Sequence, residues 1–171
     1  MDIKEVLNPN TILTNVNVNS KDDVFQLLTD CFIKEGYINN KDQFIKDVYE
    51  RESIGVTGIG NYIAIPHGRS EAVEKPGVAI AILENEVEWE SLDETGAQVV
   101  IMFAVGADNE GAMEHLKLLS MFSKRLGDDA VISKLFNSQS VDDVLNAFDN
   151  NDDFSESLDE AELNLDEITI M

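Results

Sequence analysis

Cysteine is almost missing from this chain: Cys31 stands alone among 171 residues. That excludes an internal disulfide and any cysteine-based metal cluster. Histidine is nearly as scarce. His67 and His115 are the only two, and neither belongs to an HxH, HxxxH or HExxH pattern. A metal centre, which needs three or four suitably spaced ligands, is therefore not indicated. Basic side chains are also few, with 12 Lys and Arg against 34 Asp and Glu, a formal net charge of -22. Nucleic acid binding requires a basic footprint and is disfavoured. The longest unbroken apolar run, Val99 to Val105, is far shorter than the roughly 20 residues of a spanning helix, so no membrane insertion is expected. The opening MDIKEVLNPN lacks the basic-then-apolar order of a secretory signal, which gives a cytoplasmic location as the expectation. No GxSxG-like elbow offers a hydrolase nucleophile, and no internal repeat is visible.

What is present suffices for one globular domain, since 43% of the residues are hydrophobic and the length allows an ordinary core. The composition breaks after Phe148. Nine acidic residues and no basic one lie between Asp149 and Met171. The chain thus divides into a domain over 1–148 and an acidic tail over 149–171, expected to be flexible, as a solvated appendage or the start of a linker.

Along the domain, Asp2 to Leu7 reads as a short helix and Ile12 to Val18 as a short strand. Ser20 offers an N-cap to a helix with Val24, Leu27, Leu28, Cys31 and Phe32 at helical spacing, closed by Gly36. Within that stripe Cys31 reads as a buried structural thiol. Asn40 caps a second helix that ends at Arg51 and Glu52. Strands are expected over Val78 to Leu83 and Val99 to Val105, the latter central because it is apolar on both faces. Val87 to Asp93 reads as an edge segment and turn. Three helices follow, over Glu110 to Leu126, Asp128 to Phe136 and Ser140 to Phe148. In the first of these, Ala112, Leu116, Leu118, Leu119 and Phe122 share a broad side with His115, with Met121 opposite.

The stretch that organises the chain is Glu52 to Gly68, ESIGVTGIGNYIAIPHG. His67 stands between a φ-fixed proline and a permissive glycine, and Pro66 holds Ile65 extended. The strand is expected to stop at Ile65, projecting the imidazole into a turn. Upstream, the glycines of Gly55 to Gly60 let backbone amides turn toward an anion, although Gly58-x-Gly60 lacks the third glycine of a dinucleotide site. A histidine within an apolar stripe, as His115 is, is ordinarily a satisfied core residue. With only two histidines, both placed where a polar tip needs a specific partner, a shared site is favoured. Nucleophilic catalysis by histidine fits these parts. A neutral ring nitrogen accepts a phosphoryl group, an arginine such as Arg51 spreads its charge, and a second histidine or backbone amides donate to the oxygens.

On these residues the chain resembles the enzyme IIA domains of the bacterial phosphotransferase system, mannitol/fructose class. The family pattern is an acidic or amide residue, six residues, an aliphatic-Gly pair, two residues, then aliphatic-Ala-aliphatic-Pro-His-Gly. Here it reads Glu52, six residues, Ile59-Gly60, Asn61-Tyr62, then Ile63-Ala64-Ile65-Pro66-His67-Gly68. Similarity continues through Lys75-Pro76-Gly77-Val78-Ala79, Trp89-Glu90-Ser91-Leu92-Asp93 and His115-Leu116 and covers roughly Met1 to Phe148. Gly60-Asn61 and Trp89 to Asp93 are closer to the fructose-like type, and the acidic tail has no counterpart.

The resemblance implies an α/β fold, a single domain with a mixed sheet of about five strands flanked by helices. It implies a phosphoryl-transfer enzyme component in which His67 accepts the phosphoryl group from the phosphocarrier HPr and passes it to a cysteine of an enzyme IIB. Arg51 matches the arginine supporting the phosphate, and His115 the assisting second histidine. Sugar uptake then runs through a membrane IIC component, and this subunit needs no organic cofactor or metal. Two other roles compete, a nitrogen-type regulatory IIA whose phosphorylation state changes its partners, and an interaction module that has lost transfer.

Overall fold

The computed structural model describes residues 3–148. The acidic tail expected over 149–171 lies outside the described residues. A short helix α1 (Ile3–Val6) leads through a 3-10 turn (Pro9–Thr11) into strand β1 (Ile12–Val16), followed by helices α2 (Lys21–Lys34) and α3 (Lys41–Glu52). Four strands come next, β2 (Gly58–Gly60), β3 (Ile63–Ala64), β4 (His67–Arg69) and β5 (Gly77–Val87). Strand β6 (Ala97–Val105) and helices α4 (Asn109–Leu126), α5 (Asp129–Phe136) and α6 (Val141–Ala147) complete the domain.

The sheet is mixed, ordered β1-β5-β6-β3-β2, with β4 also paired to β6. Strand β5 runs antiparallel to β6, whereas β1 lies parallel to β5. Strands β3 and β4 both run parallel to β6 and follow one another along the same edge of it: Ile63 pairs with Val99 and His67 with Phe103. Six strands therefore fill five positions, matching the expected fold class.

Alternation along β5 and β6 builds two cores. Val78, Ile80, Ile82, Val99, Ile101, Phe103 and Val105 face α4, α5 and α6 together with Leu118, Phe122, Leu135 and Phe148. Ala79, Ala81, Val100, Met102 and Ala104 face α2 and α3, where Phe25, Phe32 and Phe44 fill the space that small side chains leave. Runs apolar on both faces are what a covered central strand requires.

The N-caps at Ser20, Asn40 and Ser140 form as their sequence positions suggest, each side chain accepting from the amide three residues on. Other boundaries differ. Strand β1 stops at Val16 because Asn15 takes φ 56° and the register shifts there. Strand β5 runs past Leu83 to Val87, and the following segment returns to β2, with the Gly58 amide donating to the Glu90 carbonyl and Leu92 to that of Gly58. The inward side of α4 is narrower than expected. Gly111, Leu118, Phe122 and Leu126 are buried, Leu116 is 66% exposed, and Met121 is half-buried against the core. Cys31 is half-buried rather than fully enclosed, and burial pushes its thiol pKa up, which keeps it an inert thiol.

Helix α4 approaches the end of β6 closely enough that only glycine fits at its third residue. A Cβ on Gly111 would land on the carbonyl oxygen of Gly106. Alanine gains about 1 kcal/mol of helix propensity over glycine, but overpacking against fixed backbone costs about 1–3 kcal/mol or more. We expect Gly111→Ala to lower the melting temperature by several degrees in a thermal denaturation, opposite to the sign that propensity alone gives.

Candidate active site

His67 opens β4 instead of projecting into a turn. Pairing with β6 lapses at Ile65 and Pro66 and resumes at His67, where Pro66, which has no N–H to give, accepts from Phe103 N at 3.0 Å through its carbonyl. In register with Phe103 and Val105, His67 and Arg69 occupy the row that faces α4, and Gly68 between them faces α3. A Cβ on Gly68 would stand 2.6 Å from Cε1 of Phe44, so glycine lets α3 lie directly on the histidine strand.

Three side chains meet there. Arg51, on the last turn of α3, donates from Nε to Nε2 of His67 at 3.0 Å and from Nη1 to the Gly55 carbonyl at 2.9 Å. His115 comes from α4, its ring centroid 4.1 Å from that of His67 at an interplanar angle of 38°. Phe103 borders it edge-on at 6.2 Å. The Nε2 atom of His115 is buried and has no hydrogen-bond partner among the described residues. The sequence-derived trio of Arg51, His67 and His115 is thus brought together at one point.

The electrostatics keep both rings neutral. His67 is only 8% exposed. Burial, then His115 and Arg51, push its pKa down to about 4, against a smaller upward pull from a bond to the Ile65 backbone. Burial, then Arg69 and Arg51, lower His115 as well. Since Nε2 of His67 accepts from an arginine that is always protonated, the neutral ring carries its proton on Nδ1. The lone pair of Nε2 is left facing a fixed cation.

The glycine-rich stretch plays a different part from the expected phosphate cradle. Gly58 and Gly60 are ladder residues of β2, paired with Ala64 and Ile63. Gly60 has φ 95° and leads into a turn at Asn61 and Tyr62, both also at positive φ, which the Asp93 carboxylate holds through the Asn61 amide at 3.1 Å. Of the stretch, Gly55 reaches the site, and it does so as an acceptor for Arg51. That loop is itself anchored. Trp89 Nε1 donates to the Thr57 hydroxyl at 3.0 Å, which donates to Glu52 at 2.6 Å, and Lys21 pairs with both Glu52 and Glu90. The family-pattern acid and the Trp89 segment therefore brace the arginine's loop from below.

Sequence reasoning missed Arg69. The available signal was its position two residues after His67, which on a strand means the same face. Its Nη2 donates to the carbonyls of Ala107 and Asp108. Among the described residues no group of three or more His, Cys, Asp or Glu side chains is arranged to hold a metal ion. No described helix is long and apolar enough to cross a membrane.

Comparison with known proteins bears on the family and the fold. The family model for the phosphoenolpyruvate-dependent sugar phosphotransferase system, EIIA 2, matches residues 5–151. The fructose-specific EIIABC component of Bacillus subtilis is 34% identical over 89% of this chain, which spans 24% of that protein. The fructose-specific EIIA component of Haloferax volcanii is 33% identical over 74% of this chain and 82% of its own length. Among solved structures, the complex of mannitol enzyme IIA with phosphorylated mannitol enzyme IIB from Escherichia coli superimposes with a TM-score of 0.71. It has 23% identity and covers 83% of this chain and 96% of that one.

The depressed histidine makes stability depend on pH in a defined sense. The unfolded ring protonates near 6.5, whereas the folded His67 stays neutral to about 4. Its contribution is fully present above pH 6.5 and is lost as pH falls toward 4, up to about 3 kcal/mol in all. In denaturant titrations at pH 4.5 and 7.5, His67→Gln should lose less stability on acidification than the wild type.

A neutral ring nitrogen, a guanidinium against it and a second imidazole beside it suit a chain that belongs to the family of phosphotransferase-system enzyme IIA domains of the mannitol/fructose class.

Proposed function

We propose that this chain is a phosphohistidine carrier, accepting a phosphoryl group from HPr on Nε2 of His67 and passing it to an enzyme IIB cysteine. The observation that carries the reading is the Arg51–His67 contact, in which a lone pair is held ready beside a permanent positive charge. In the first step the bond from phosphorus to the donor atom of HPr breaks as the Nε2–P bond forms. In the second, the Nε2–P bond breaks as the IIB cysteine thiolate takes the phosphorus, and the ring, keeping its Nδ1 proton, returns to its neutral form. Arg51 meets the charge on the phosphoryl oxygens as it arrives. His115, whose buried Nε2 has no partner among the described residues, stands beside the His67 ring, from where it would bond those same oxygens.

The site's surroundings suit protein partners. Ile54, three residues beyond Arg51, is 80% exposed, and Met113 and Leu116, flanking His115, are 70% and 66% exposed. Apolar side chains left in water around a reactive group are what a docking partner covers. Donation to a cysteine accords with the solved mannitol complex, whose IIB partner is phosphorylated. Two of the relatives cited above are named for fructose and the solved complex for mannitol; the Trp89 to Asp93 segment inclines the reading to a fructose-like sugar, with IIC in the membrane. Location in the cytoplasm, beside HPr, follows from the same reading.

Incubation with phosphoenolpyruvate, enzyme I and HPr should add one acid-labile phosphate, read by intact mass, and His67→Ala should take up none. Arg51→Ala and His115→Ala should keep the fold and slow uptake on the order of 10²-fold, the usual cost of removing one preorganised stabiliser. Stable labelling of His67→Ala would sink the assignment. Uptake without onward transfer to any IIB would favour the nitrogen-type regulatory role.

A further inference from the structure

We propose that Arg69 is a positioning residue of the two-histidine site, tying the strand that carries His67 to the start of the helix that carries His115. The inference rests on the phosphocarrier reading and adds to it a residue that neither the family pattern nor the comparisons single out.

The geometry begins with β4. Arg69 lies two residues after His67 and on the same face, since the two pair with Val105 and Phe103 along one side of β6. From there its Nη2 donates to the carbonyls of Ala107 and Asp108 at 3.0 and 3.1 Å. Asp108 is the N-cap of α4, its carboxylate accepting from Gly111 N at 2.8 Å. His115 follows Asp108 by seven residues, close to two helical turns, so both lie on nearly the same side of the helix. A helix translates as a rigid rod, and a shift at its capped end moves His115 by a similar amount. At the same junction Gly111 closes against the Gly106 carbonyl. Arg69 and Gly111 thus both hold the start of α4, while the 4.1 Å ring spacing depends on where that helix stands.

Charge adds a second effect. Arg69 lies near both rings and, after burial, is the largest influence lowering His115, ahead of Arg51. It also acts on His67, more weakly than burial, His115 and Arg51. The groups around the rings are therefore Arg51 from α3, Arg69 from β4 and the histidines themselves. A purely mechanical staple would hold the helix without influencing titration. Arg69 does both, and the two effects have separate readouts, the ring contact for the staple and the histidine midpoints for the charge. Glutamine removes the charge and ends two atoms short of Nη2, so it loses both, whereas lysine keeps the charge and donors on a flexible stem.

The test uses ring-proton NMR titrations of the free protein for the wild type, Arg69→Gln, Arg69→Lys and, as a remote charge control, Lys46→Gln. Arg69→Gln should raise both histidine midpoints and weaken the nuclear Overhauser contact between the two rings. Arg69→Lys should largely restore the wild-type pattern, and Lys46→Gln should leave it unchanged. Phosphoryl uptake from phospho-HPr should fall about tenfold or more in Arg69→Gln, as expected for misplaced groups. Unchanged midpoints and ring contacts in Arg69→Gln would overturn the proposal. Should the wild type accept nothing from phospho-HPr, the carrier reading fails alone, because the free-protein measurements still decide the role of Arg69.

Discussion

The site depends on one contact, a guanidinium N–H pointing at an imidazole nitrogen. Such a bond exists only while the imidazole is neutral, for a protonated Nε2 would have no lone pair to offer and would face a like charge. Arg51 thereby acts against a proton at that atom and, on the proposed reading, in favour of a phosphoryl group there. Both are electrophiles seeking the lone pair of Nε2, but one brings positive charge and the other brings anionic oxygens. Burial strengthens this discrimination, since water that would screen the arginine is largely excluded from His67.

Much of the fold exists to hold that contact. Helix α3 ends where the arginine is needed, and its tip is kept in place through Gly55, Thr57, Glu52 and Trp89. The sheet contributes Phe103, which pairs with His67 and borders His115. Helix α4 brings the second ring, its start set by a glycine with no room for a side chain. The acid of the family pattern, Glu52, stands one layer away from the rings, as an acceptor for Thr57 and a partner of Lys21.

The sequence carried the central elements plainly. Val99 to Val105 is apolar at every position because both faces are covered, and the caps at Ser20, Asn40 and Ser140 are local features that owe nothing to distant packing. The meeting of Arg51 and His67 was legible through the family pattern, since nothing local relates the end of one helix to a strand sixteen residues on. Other features were not readable in advance. The glycines at 58 and 60 looked like an anion loop, because glycine spacing reports backbone freedom and not what uses it. They are needed where Gly58 passes against Ser91 and where Gly60 turns at positive φ beside Asp93. Leu116 read as core because a helical projection has no knowledge of which neighbours are present, and Arg69 escaped notice because its partners are backbone carbonyls nearly forty residues away.

The two short strands on either side of Pro66 pair in series with β6, and this bears on how the proposed carrier would respond to its load. Because the proline carbonyl bridges the gap, the backbone of the histidine is clamped along its length to the central strand of the sheet. On the proposed carrier reading, a phosphoryl group on Nε2 would meet a residue whose backbone is already held by the sheet. The adjustment would then fall on the surroundings, the arginine at the end of α3 and the ring on α4. His67 is a fixed post, and loaded and unloaded forms would differ in what leans against it.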